Sequence, residues 1–227
     1  MQASTNRRAT PGWLIAAKAG VHALTLAPVT LLAWRAWQVQ TGANIDALGP
    51  DPVAMIEHTL GLWALRLLLV TLAVTPLRQL TGQAQLLRFR RMLGLYAFFY
   101  ASLHFAAWLV LDLRLDWAGV ATEIARRPFI TVGFLAWLLL VPLAVTSTRG
   151  WMRRLSGAWQ RLHRLVYPVA GLAVLHFWWV VKSDIREPLL YAVLLALLLA
   201  WRLWRRLRPG ARGARRSSAD RAGQSAP

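Results

Sequence analysis

There is no cysteine anywhere in the 227 residues. That one absence removes disulfides, iron–sulfur clusters, thiolate-ligated haem and covalent C-x-x-C-H haem attachment together. Carboxylates are also scarce: nine Asp and Glu stand against 27 Lys and Arg, a net charge of +18. Glycine is present, but not as a phosphate-cradling fingerprint, and no soluble segment exists to house one. The chain is therefore not expected to oxidise NAD(P)H by itself. Only four methionines occur, at 1, 55, 92 and 152, all at the edges of apolar segments or outside them. No convincing internal repeat and no low-complexity core segment stand out.

What the chain has in quantity is apolar length. Hydrophobic residues make up 57%, gathered into six stretches at about 13–37, 58–77, 92–111, 128–146, 164–181 and 188–204. A bilayer core of ~30 Å takes about 20 helical residues. The pattern predicts an all-α polytopic membrane protein, a six-helix bundle over residues 1–207 with a basic, disordered tail over 208–227. The first stretch reads as a retained span rather than a cleaved signal peptide. The basic excess would suit nucleic acid, but most of the arginines sit beside apolar spans, so no nucleic-acid partner is expected. With the N-terminus, the 78–91 and 147–164 loops and the tail on one side, that side carries 20 of the 27 Lys and Arg. Eight of the nine acids lie at the other end. Both termini are predicted to be cytoplasmic.

The histidines are His22, His58, His104, His163 and His176. His104 lies 13 residues after Arg91, and His176 lies 13 after His163, on spans running in the same direction. Each reaches about 20 Å along its helix from the basic side. Two imidazoles at one depth on two helices are what a b-type haem requires as axial ligands. Small neighbours, Ala101, Ala107, Gly171 and Ala173, leave room for a macrocycle. A metal transporter would add carboxylates within the spans, and none is found. A second bis-histidine site is not formed, because a spacing of 13 turns His163 about 140° away from His176 and the basic end of span three offers Arg90 and Arg91 instead. His163 is open between an inner haem shared with His22 or water, contact with a flavin or quinone, and an interface position. His22 and His58 read as edge residues. Arg66, about 12 Å deep, needs either an anion such as a haem propionate or a route to the surface.

The stretches "RRMLGLYAFFYASLHF", "GPDPVAMIEHTLGLWALRLLLVTLAVTPLR" and "TSTRGWMRRLSGAWQRLHRLVYPVAGLAVLHFWW" resemble the MsrQ (YedZ) family, in the ferric-reductase-like transmembrane group. The resemblance covers nearly the whole chain except the tail. It implies an inner-membrane cytochrome b that is an electron-transfer subunit rather than the catalytic one. The implied acceptor is MsrP, a periplasmic molybdopterin enzyme that reduces methionine sulfoxide in oxidised proteins. The implied cofactors are haem b and FMN, and the implied donor is the quinone pool or a cytosolic flavin reductase. His104, His163 and His176 match the positions tied to haem in such proteins. The basic loops 78–91, which contains Arg91, and 147–164 either anchor a flavin phosphate or serve only to set topology. The alternative is a ferric or other metal reductase of the same architecture with a different acceptor.

Overall fold

The computed structural model describes residues 12–181 and 184–208. It is all helix, with no strand among the described residues. Helix α1 runs Gly12–Gln40 and α2 runs Pro52–Thr81. A 3-10 turn, Ala84–Leu86, leads into α3, Leu87–Ala107, which continues as a π-helical turn over Trp108–Asp112. A short amphipathic α4, Trp117–Arg126, precedes α5, Pro128–Val145. Two short helices, α6 (Arg149–Leu155) and α7 (Gly157–Leu162), and a 3-10 turn, His163–Leu165, lead into α8, Val166–Val180. The last helix, α9, is Arg186–Leu207.

The boundaries follow local chemistry. Asp51 caps α2 by accepting from the Ala54 amide at 3.0 Å, and Pro52 fills the first turn, where no donor is needed. Gly82, at φ 71, closes the other end in the left-handed conformation that glycine adopts without a Cβ penalty. Pro128 starts α5 in the same manner as Pro52.

Five helices are long and apolar enough to cross a bilayer: α1, α2, the Ala84–Asp112 run, α5 and α9. The stretch expected as a further span at 164–181 is built differently. Its α8 has 15 residues and reaches full length only through the helical lead-in that begins at Gly157. Helix α2 is the hub: 56% of its apolar window is buried, against 11–22% for the other four. Leu60, Leu65, Leu68, Leu72 and Val74 of α2 pack with Leu93, Ala97 and Tyr100 of α3 and Val169, Ala170 and Val174 of α8. Leucines such as Leu24 and Leu197 stay exposed, as on a surface that faces lipid. The tail from 209 onward lies outside the described residues.

Candidate functional site

His104 of α3 and His176 of α8 face each other at the centre of the bundle. Their ring centroids are 6.1 Å apart with planes at 69°. Each Nδ1 meets a main-chain carbonyl of a neighbouring helix, His104 at Glu57 O (2.9 Å) and His176 at Phe129 O (2.7 Å). A carbonyl only accepts, so each Nδ1 carries the proton and donates. The lone pair is left on Nε2, the arrangement that orients an imidazole for a metal.

The close approach depends on two glycines. A Cβ at Gly61 would stand 3.3 Å from the His104 ring, and one at Gly133 only 2.7 Å from His176 Nδ1. Gly61 lies four residues after Glu57, and Gly133 four after Phe129. Each histidine thus lies over a bare turn of helix and bonds the carbonyl one turn earlier.

The two halves of the site are copies. Glu57, Gly61 and His104 correspond to Phe129, Gly133 and His176 with a constant offset of 72 residues. The sequence repeats with them: "TLGLWALRLLLVTLAVT" from Thr59 and "TVGFLAWLLLVPLAVT" from Thr131 differ in length by one residue, beside Arg66. "ASLHF" from Ala101 returns as "AVLHF" from Ala173. The expectation of no internal repeat is therefore corrected. The repeat also explains the missing second histidine pair, because the counterpart of His163 under the same offset is Arg91.

The remaining candidates do not join this centre. Arg66 Nε donates to the Tyr191 hydroxyl at 2.7 Å, and its Nη2 lies 3.7 Å from a Glu187 oxygen. The other Glu187 oxygen lies 3.8 Å from His58 Nε2. Arg66 thus finds its anion within the protein, and His58 belongs to the same cluster. His163 stacks on Trp159 with centroids 4.0 Å apart, and its Nδ1 meets Trp159 O at 3.2 Å. His22 Nδ1 bonds the Tyr96 hydroxyl at 2.6 Å rather than approaching His163. Arg91 lines a cavity of about 750 Å³ at the basic end of the bundle.

The residues fit a haem. Two imidazoles ligating one metal from opposite sides, with metal–nitrogen bonds of about 2 Å, have centroids roughly 6 Å apart. The donor set is two neutral nitrogens, and among the described residues no group of three or more His, Cys, Asp or Glu could hold a bare ion. The pair suits an iron whose other ligands come from a macrocycle. Sequence reasoning missed Gly61, Gly133 and the two carbonyls; the repeated T-x-G and A-x-L-H-F segments were the available signal.

A profile of the family described as "Ferric reductase like transmembrane component" matches residues 60–174, from just before Gly61 to two residues short of His176. A protein of Xanthomonas euvesicatoria pv. vesicatoria (strain 85-10), named protein-methionine-sulfoxide reductase heme-binding subunit MsrQ, is 67% identical over 90% of this chain and 94% of its own length. A protein of the same name from Xanthomonas campestris pv. campestris (strain 8004) is 69% identical over 86% and 88%. Another, from Bordetella pertussis, is 54% identical over 73% and 82%. No solved structure matches the chain.

Proposed function

The chain belongs to the ferric reductase like transmembrane component family and to the MsrQ subunits within it, and on that premise we propose that it is the haem b subunit carrying electrons to a periplasmic molybdopterin methionine sulfoxide reductase, MsrP. The observation that carries this reading is the His104–His176 pair, held at 6.1 Å with both Nδ1 atoms engaged. Haem b held there would supply reversible one-electron exchange between ferric and ferrous iron. His104 and His176 would hold the iron, while Glu57 O and Phe129 O fix their tautomers. Leu60, Leu65 and Val174 keep water from the surrounding core. The chain is the electron-transfer subunit rather than the site of sulfoxide reduction.

Direction follows from charge. Six spans in the bacterial inner membrane, with both termini cytoplasmic, put the basic end inside and the acidic loops in the periplasm. Electrons then enter from a quinol or a cytosolic flavin reductase, with FMN as an intermediate carrier. His163 and Arg91 stand on the entry side, His163 about 20 Å of helix from the level of His176.

The test is spectroscopic. Purified protein shows a reduced b-type spectrum, and His104→Ala/His176→Ala loses it. Stoichiometric low-spin haem in that double variant overturns the ligation. Haem-loaded protein in proteoliposomes reduces MsrP; failure with the haem intact leaves the ligation standing and removes the acceptor in favour of a metal-reductase reading.

A further inference from the structure

We propose that α4 is an interfacial helix: it lies in the lipid–water boundary at the end of the bundle opposite the basic loops, with Trp117 and Ala121 sunk into the lipid. The inference rests on the spans alone and not on the electron-transfer reading. One span, Ala84–Asp112, ends where the loop begins, and the next, α5, starts at Pro128. Residues 113–127 therefore leave and re-enter the membrane at the same surface. Ten of them form α4, which is about 15 Å long. Its last turn is tied to the start of α5. The Thr131 hydroxyl donates to Ile124 O, and Glu123 pairs at 2.7 Å with Arg127, the residue before α5. Its first turn is fixed by Asp116, which accepts from the Ala118 amide at 3.1 Å.

The helix has two unlike edges. Measured from Trp117 at about 100° per residue, Ala121 stands at about 40° and Ile124 at about 340°, whereas Thr122 stands at about 140° and Arg126 at about 180°. Val120 and Ile124 are partly buried, toward α5. Trp117 is 69% exposed, and Ala121 is exposed beside it. Just before the helix, Arg114 and Leu115 take left-handed φ values of 49 and 64, a conformation that leucine seldom adopts, and Leu115 is half-exposed. A single exposed apolar residue means little. Here Val110 and Leu111 close the preceding span as exposed residues, and Leu115 and Trp117 follow them. The patch continues a surface that already faces lipid. Tryptophan at the membrane boundary, on a helix whose other edge is polar, is the arrangement of an interfacial anchor. A soluble partner or a second copy could reach Trp117 only by displacing the headgroups at that level.

The chain has no cysteine, so a nitroxide on one introduced cysteine reports that position alone. Trp117→Cys, Ala121→Cys, Thr122→Cys and Arg126→Cys are labelled singly in the full chain, in proteoliposomes of phosphatidylethanolamine and phosphatidylglycerol. Power-saturation electron paramagnetic resonance then reads collisions with oxygen, which concentrates in lipid, and with a water-soluble nickel chelate. The oxygen-to-nickel ratio is expected to be about tenfold higher at 121 than at 122, and higher at 117 than at 126. Ala121→Cys keeps Trp117, so it reports the native anchor. A label at 121 as open to nickel as the one at 122 places α4 in water. A label at 121 that meets neither reagent places another protein surface over it. Either result overturns the proposal. A charged maleimide tests the same edges without the bulky label: it is expected to modify Thr122→Cys roughly tenfold faster than Ala121→Cys, and equal rates overturn the proposal as well.

Discussion

A single hydrogen atom at position 133 decides where His176 stands. The 2.7 Å separation between a Cβ there and His176 Nδ1 is far below contact distance, and the neighbour in the way is an imidazole fixed by its bond to Phe129 O. At position 61 the corresponding separation is 3.3 Å, a strain that a few tenths of an ångström relieve. The two glycines are equivalent by repeat but not by tolerance. Gly133→Ala is expected to cost most of the bound haem, or convert it to a high-spin form, while Gly61→Ala keeps most of it. Absorbance and electron paramagnetic resonance on haem-titrated protein check this; equal retention in both variants would show that the carbonyl bonds, not the close approach, position the rings. The surface charges are a different matter. The Arg66–Glu187–His58 cluster is half-exposed, where such pairs are each worth about 1 kcal/mol or less.

Between elements, the joint of α1 with the bundle is the most specific contact. Pro28 stands inside α1 and supplies no amide donor. Beside it, the fully buried Tyr100 hydroxyl donates to Thr25 O at 2.6 Å and accepts from Val29 N at 3.2 Å. A side chain of α3 thereby bridges two groups of α1 that stand four residues apart, the insertion that accompanies bends in helices. Tyr100→Phe leaves both groups without a partner in a dry setting. The expected cost is about 1–3 kcal/mol, read as a lowered midpoint in thermal unfolding in detergent. An unchanged midpoint would mean that Thr25 and Val29 simply bond each other once the hydroxyl is gone. The π-turn at Trp108–Asp112, which follows His104 by one turn, widens the end of α3 by one residue; nothing in its contacts gives it a further role.

For the whole molecule, the organising fact is duplication. Helices α2 and α3 form one hairpin and α5 and α8 the other, each contributing one histidine, one glycine and one carbonyl to the centre. Two equivalent units meeting face to face place two identical imidazoles opposite each other. Arg66 sits where the paired helices α2 and α5 differ in length by one residue, and it is tied to α9 through Tyr191 and Glu187. Orientation is the other property of this scale. A reporter fused at the C-terminus is expected to be active only in the cytoplasm, and one inserted after Asp116 only in the periplasm. The reverse pattern would place the basic end outside and invert the electron direction.

The helical class, the membrane-spanning character and the matched depth of His104 and His176 were legible in the sequence. Apolar runs of bilayer length, the depth of each histidine from its nearest charge, and the lack of cysteine are all one-dimensional quantities, and they do not depend on which helix packs on which. The repeat was equally legible in T-x-G and A-x-L-H-F and was overlooked because a one-residue difference beside Arg66 breaks its register. Only the tertiary structure decided the rest. Rotation about a helix axis is not written in depth, so that the two rings meet at 6.1 Å rather than facing apart follows from packing. So does the pairing of Arg66 with a glutamate more than a hundred residues away. The glycines' role is invisible for the same reason: the atom each excludes belongs to a side chain on another helix, and only the fold brings that side chain there.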